Sequence, residues 1–228
     1  MLWVKRAVLA VGMVLVASFP FWIGGAITEY AGGTVLESRS EGYDHVRNFM
    51  SDLGRTKGYD LTNNEGAATY FGWALYSFAI GIVLIQGVWL TAFKTQRARQ
   101  WAGATFLLTL VGAIHFWGIV EYTLDMNYPQ HTKFVVRAFG LIALSHWAAA
   151  FAIRFEPKYP SFISSAWFVV AFIATAHWII MVLGPRSWSS DAALLLQVTL
   201  QKATILAYWI ALLIHGWIAW RCVDRLRY

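Results

Sequence analysis

The chain has 228 residues, of which 58% are hydrophobic, 17% aromatic and only 13% charged, and its formal net charge is +6. A water-soluble domain carries about 25% charged residues, so too little polar surface remains here to cover a globule in water, and lipid must solvate much of the chain. The single cysteine excludes an intrachain disulfide, and the scattered basic residues argue against a nucleic-acid partner because they form no patch.

Six apolar runs are long enough to cross a bilayer, so the predicted fold class is all-α: a polytopic integral membrane protein. We expect a single six-helix transmembrane bundle over residues 1–228, with spans at about 7–27, 68–93, 101–124, 134–153, 162–183 and 192–220 and an outer loop at 28–67. The first run is longer than a signal-peptide core, which predicts an uncleaved span, and Pro20 is expected to kink it.

Charge is distributed unevenly between the two sides of this bundle. The connections on one side, with the chain ends, hold ten basic and two acidic residues, whereas the other side holds eight basic and ten acidic residues. The first count includes Asp224, Arg225 and Arg227. Because basic residues stay on the cytoplasmic side, the pattern predicts cytoplasmic N and C termini and an outer loop that faces away from the cytoplasm.

Polar groups gather toward the outer side. At 1.5 Å per residue, Glu121, Arg137, His177 and Lys202 fall in the outer half of their spans, and Asp125 and His131 lie just above them in a second outer loop. Ionisable residues within a span are costly, which makes each one a candidate for function. If the helix continued beyond Glu121, that residue and Asp125 would share one face.

These residues predict an outward-facing polar pocket, roofed by the outer loop, that binds or processes a lipid headgroup. Ser51 and Asp52 would contact the headgroup, Glu121, Asp125 and His131 would supply acid–base groups, and Arg137, His177 and Lys202 would hold the ligand. Whether the protein is an enzyme stays open. A Ser–His–Asp hydrolase would draw on Ser51, His131 and Asp125.

A purely structural interpretation competes with the pocket. Glu121 and Asp125 would then pair with Arg137 or Lys202, whose long side chains also reach the headgroup region. Residues 51–54 would form only an Asx turn that closes a short helix.

Two further functions use other features. An accessory subunit of a larger membrane assembly would pack other membrane proteins against aromatic faces that include Trp117, Trp147, Trp178 and Trp209. Histidines occur once on each of four spans, which is a pattern that could ligate b-type haem; they are His115, His146, His177 and His215. The pocket interpretation itself predicts no cofactor.

One short motif resembles a known family. Asn48, Met50, Ser51, Asp52, Leu53 and Gly54 match the Asn-x-(Ile/Met)-Ser-Asp-Leu-Gly signature of the DUF998 family of six-span bacterial and archaeal membrane proteins. Tyr70-Phe71-Gly72-Trp73 follows where the family has a Gly/Phe-rich second span, and Asp125, Pro129 and His131 resemble its third-to-fourth connection. The family is distantly similar to GPI-lipid remodelling factors and autophagy modulators. The resemblance implies lipid-related work and a prokaryotic inner (plasma) membrane.

The charge pattern makes a prediction about orientation. A green fluorescent protein fused to the C-terminus is expected to fluoresce, and an alkaline phosphatase fused at the same place is expected to be inactive, because both would lie in the cytoplasm. The reverse pair of results would contradict cytoplasmic termini.

Overall fold

The computed structural model describes residues 2–222, so Asp224, Arg225 and Arg227 lie outside the described residues. The described chain is all-helical apart from its connections and two isolated β-bridges. Its helices are α1 (Leu2–Ala17), α2 (Phe19–Thr28), α3 (Glu65–Leu90), α4 (Gln96–Glu121), α5 (Tyr128–Arg154), α6 (Ser161–Leu183) and α7 (Asp191–Cys222), and a 3₁₀ turn spans Met50–Gly54.

Within the described residues, six segments are long and apolar enough to cross a membrane, with α1 and α2 together forming the first. This confirms the predicted all-α, six-span fold class and is consistent with an integral membrane protein. The longest helix, α7, has 32 residues and is about 48 Å long at 1.5 Å per residue, which exceeds the hydrocarbon thickness of a bilayer.

The predicted connection between the third and fourth spans is wrong in two respects. The fourth helix begins at Tyr128 rather than near residue 134, because the Asn127 side chain accepts a hydrogen bond from Gln130 N (3.2 Å) and Pro129 suits a first helical turn. His131 therefore lies in a helix rather than in a loop. The preceding helix α4 ends at Glu121, so Asp125 is not on its face.

The helices form a ring in chain order. The first span packs on α3, each following helix packs on the next, and α7 returns to contact α1. Contacts at this closure include the Trp209 indole, which donates to the carbonyl of Val16 (2.9 Å), and the guanidinium of Arg6, which lies 5.7 Å from the ring centroid of Trp220. We call the end of the bundle that carries residues 29–64 the loop side.

A break in the first span shapes the loop side of this ring. The chain leaves α1 at Ala17, and α2 begins at Phe19 with Pro20 in its first turn. Helix α2 then packs against α3, whereas α1 is the part of this span that packs against α7. Helix α2 and the loop-side half of α7 are therefore separated by a groove, which is described below.

Two glycines allow α1 and α3 to approach closely. A Cβ added at Gly81 would lie 2.9 Å from the carbonyl oxygen of Gly12, and one added at Gly12 would lie 3.1 Å from that of Gly81. Small residues at such crossings let helix backbones pack closely in membranes.

This crossing is expected to tolerate no added methyl group. Gly81→Ala should lower stability by about 1–3 kcal/mol because the new Cβ meets backbone that cannot move independently. Gly24→Ala is the matched control, since a Cβ there meets nothing within 4 Å and should leave stability unchanged or slightly raised. Thermal unfolding in detergent measures both, and equal melting temperatures would contradict the role of the crossing.

Candidate functional site: two cavities beneath a pinned loop

The loop segment, residues 29–64, folds around the buried carboxylate of Asp52, which is 1% exposed. Its Oδ2 accepts hydrogen bonds from Asn48 Nδ2 (3.1 Å) and Phe49 N (2.9 Å), and its Oδ1 accepts one from the Tyr59 hydroxyl (3.0 Å). Burial raises the pKa of the Asp52 carboxyl, while the bonds from Asn48 and Tyr59 oppose that rise. Asp52 thus stabilises the loop from within.

Asn48 is the second buried centre of the loop and is fully enclosed. Its Nδ2 also donates to the carbonyl of Gly33 (2.8 Å), and its Oδ1 accepts from Asp44 N (2.9 Å). The Tyr30 hydroxyl donates to the same Gly33 carbonyl (3.0 Å). Gly33 has a φ of +84°, a conformation that favours glycine. The hydrogen bonds of Asn48 therefore connect Gly33 and Asp44, which precede it in the loop, with Asp52, which follows it.

Consecutive residues of α7 hold the loop from below. The Met50 N–H donates to Gln201 Oε1 (2.8 Å), and Lys202 Nζ donates to the carbonyl of His45 (2.7 Å). Neighbouring residues on a helix point in different directions, so these two bonds lie on different faces of α7. The loop is therefore fastened across the loop-side half of that helix.

Two carboxylates outside the loop segment also fasten it. Asp125, in the α4–α5 connection, accepts from the Thr56 hydroxyl (2.7 Å) and from Lys57 N (3.0 Å). Burial by itself would raise the pKa of Asp125, but the bonds from Thr56 bring it below its usual range. At the start of α7, Asp191 accepts from the Arg47 guanidinium at 2.8 Å.

A polar pocket of about 530 Å³ opens on one side of this fastening, between the loop and the loop-side ends of α5, α6 and α7. Its polar lining includes Ser51, Tyr59, His131, His177, Arg186, Gln197 and Gln201. The loop thus roofs a polar cavity, and three of the predicted site residues (Ser51, His131 and His177) share it.

The two histidines of the polar pocket differ in their hydrogen bonding. His131 Nδ1 contacts the carbonyl of Tyr122 (2.7 Å), whereas the Nδ1 of His177 has no hydrogen-bond partner although the residue is only 3% exposed. The Ser51–His131–Asp125 triad is not formed, because the Nδ1 that would bind a carboxylate already contacts a backbone carbonyl.

An arginine stands at the mouth of the same pocket. The guanidinium of Arg186 lies 5.3 Å from the ring centroid of Trp188, and that indole meets the Tyr128 ring edge-on at 6.3 Å. The Gln197 side chain donates to the carbonyl of Pro185, which holds the segment that carries Arg186 against α7.

A lateral groove of about 700 Å³ lies on the other face of α7, between that helix and α2. Its walls are apolar and include Phe19, Ile23, Ile27, Ile205 and Leu206. Polar groups occur at its loop end, where Tyr43, His45 and Lys202 meet.

Lys202 is the cation of the lateral groove. Besides its bond to His45, its Nζ lies 4.8 Å from the ring centroid of Tyr43. An ammonium group has three N–H donors, and one bond to a carbonyl leaves others for a ligand in the groove. The described residues that line the groove include no carboxylate.

Several predicted site residues lie elsewhere. Glu121 is exposed and accepts from the Tyr76 hydroxyl (2.9 Å), and Arg137 is exposed on α5. Within residues 2–222, neither Glu121 nor Asp125 forms an ion pair with Arg137 or Lys202, so that expected pairing is wrong. Asp52 and Asp125 organise the loop, and neither lines the polar pocket or the lateral groove.

The four membrane histidines pack against aromatic rings. His115 meets Phe134 at 5.6 Å between centroids, and His177 meets Phe139 at 4.6 Å.

The two deeper histidines share a neighbour. Trp167 lies 5.4 Å from the His146 ring and 5.8 Å from the His215 ring. A porphyrin bound by both histidines would require Trp167 to move. The haem interpretation therefore stays a prediction that this packing does not favour.

No protein-family model matches this chain, and neither a curated protein nor a solved structure matches it. The resemblance of residues 48–54 to the DUF998 signature therefore stays a prediction. Within the molecule, those residues form the buried polar centre and the 3₁₀ turn of the loop.

Sequence reasoning missed Arg186, Gln197 and Gln201 as pocket residues. A signal for the two glutamines existed, because they are polar, four residues apart and inside an apolar helix, which places them on one face. Arg186 had a weaker signal as a basic residue beside Trp188 in a short connection.

The internal role of Asp52 yields a stability prediction. Asp52→Asn should lower stability by about 1–3 kcal/mol, because an amide keeps one acceptor oxygen where three donors converge. Asp60→Asn is the control, since Asp60 is exposed and bonds only locally to Thr62. Chemical unfolding in detergent compares them, and equal stability of the two variants would contradict the structural role of Asp52.

Proposed function

We propose that this protein binds an anionic membrane lipid in the lateral groove, with the phosphate at Lys202 and an acyl chain between α2 and α7. The observation that carries the proposal is an apolar groove of about 700 Å³ with a lysine at its loop end. A phospholipid has matching parts, because its charged headgroup is joined to apolar chains. The match is one of shape, polarity and charge.

The placement of the groove supports lipid rather than a water-soluble ligand. Its walls belong to two segments that are long and apolar enough to cross a membrane, so a bilayer around the bundle would meet the groove from the side. Lys202 lies eleven residues into α7, which is about 17 Å from the start of that helix. Lys202 is half-buried, and its ammonium gains from a phosphate partner through a charge-assisted hydrogen bond.

The loop gives this site its selectivity in the proposal. The His45 carbonyl and the Tyr43 ring hold the Lys202 ammonium at the loop end of the groove. A phosphate approaching along the groove would meet that ammonium beneath the loop. The proposal assigns binding; a chemical step on the lipid stays open, because Ser51 and His131 lie in the other cavity.

Orientation and location complete the proposal. The charge distribution of the sequence favours cytoplasmic termini, which would put the loop side, the polar pocket and the groove's loop end at the outer leaflet. The DUF998 resemblance favours a prokaryotic inner membrane.

An accessory subunit is the alternative, and exposed aromatic side chains such as Trp117, Phe172 and Trp217 would supply its contacts. Lipid covers such side chains equally well in a bilayer, so they do not favour a protein partner. A recessed groove with a cation at one end is the more specific feature.

The lipid proposal is tested by substituting Lys202. Native mass spectrometry of protein extracted with its lipids should detect bound anionic phospholipid in the wild type and at least about tenfold less in Lys202→Gln, the effect of losing a charge-assisted phosphate contact.

Arg137→Gln is the matched control. Arg137 lies nine residues into α5, a depth of about 14 Å, and is exposed outside the groove. It should retain the wild-type lipid. Equal anionic lipid in Lys202→Gln and Arg137→Gln would overturn the proposal.

A further inference from the structure

The polar pocket is a second cavity, separated from the lateral groove by the loop-side half of α7 and by residues 49–51. Phe49 and Ser51 line the polar pocket, whereas Met50 between them lines the groove. On α7, Gln197 and Gln201 face the pocket, whereas Lys202 faces the groove. The two cavities therefore have different linings and can be altered independently.

The charge of the pocket lining has one sign. Arg186 is its formally charged residue, and Asp or Glu is absent from the described residues that line it. The nearest loop carboxylate, Asp52, is directed into the loop by its three hydrogen bonds. Such a pocket favours an anion.

Side chains that can form hydrogen bonds line the same space. His177 lines this space although it is only 3% exposed, and its Nδ1 is buried without a hydrogen-bond partner, which is costly for a polar atom. The Oε1 of Gln201 accepts from Met50 N, so its amide group can donate to another acceptor. Arg186 adds a guanidinium fork at the mouth, and Ser51 adds a hydroxyl.

We propose that the polar pocket binds a phosphate group, held by Arg186, His177 and Gln201, on a molecule that enters beside Tyr128 and Trp188. Phosphate fits this set because it offers several acceptor oxygens to more than one donor, and Arg binds it with two parallel hydrogen bonds. The remaining volume, lined by apolar residues such as Val135 and Met181, accommodates an organic portion of the ligand.

The molecule that carries the phosphate has two possible sources, a water-soluble phosphomonoester or a lipid headgroup. The Tyr128–Trp188 pair at the mouth is typical of a membrane interface, where both sources are within reach. The two sources are separated by experiment.

The test uses the full chain in phosphatidylcholine nanodiscs. Glycerol 3-phosphate, titrated by calorimetry, probes the soluble source, and nanodiscs that contain phosphatidic acid and are assayed by ³¹P NMR probe the lipid source. Saturable binding of either probe that weakens at least about tenfold in Arg186→Gln and in His177→Phe is the expected result. His177→Phe keeps an aromatic ring against Phe139, so the packing is retained.

Two controls separate this site from the groove. Arg137→Gln removes an exposed arginine of α5 and should bind the probe like the wild type. Lys202→Gln changes a residue that lines the groove and not the polar pocket, so it should retain the binding of glycerol 3-phosphate. Phosphatidic acid binding that is lost in Lys202→Gln but kept in Arg186→Gln belongs to the groove, so the two proposals can fail separately. Absence of saturable binding for both probes, or equal affinity in Arg186→Gln and wild type, would overturn the phosphate site.

Discussion

Two buried polar side chains, Asn48 and Asp52, hold the loop segment in one conformation, and both cavities depend on that conformation. A buried carboxylate is stable only when its oxygens are hydrogen-bonded, and Asp52 obtains three bonds from within ten residues of sequence. Asn48 links that carboxylate to Gly33 at the far end of the segment. The loop is thus a folded element with its own polar core.

The fastening of this loop to α7 produces two sites. Gln201 and Lys202 are adjacent in sequence, yet Gln201 lines the polar pocket and bonds to Met50, whereas Lys202 lines the lateral groove and bonds to His45. The break before Pro20 adds the second condition, because it lets α2 follow α3 and leave α7. A straight first span in contact with α7 along its length would fill the lateral groove.

The sequence-based predictions of site residues agree with the structure at some positions and disagree at others. Because charge is costly within a membrane, the sequence correctly indicated Lys202, which lies in a cavity. The same rule also indicated Glu121 and Arg137, which are exposed. Depth along a helix follows from residue counting, whereas the direction in which a side chain points around the helix depends on the neighbours of that helix. The helices of the described residues are weakly amphipathic, so their sequences indicate little about that direction.

The sequence by itself determined the fold class and the number of spans, because apolar length and low charge are additive along the chain. It also located the loop and its Asn48–Gly54 motif. Only the tertiary structure decided that Asp52 is an internal hydrogen-bond acceptor, that Ser51, His131 and His177 share a pocket with Arg186, and that Lys202 faces a different cavity. Those outcomes depend on helix rotation and on contacts between residues far apart in sequence, such as Met50 and Gln201, which are 151 positions apart and which local periodicity does not encode.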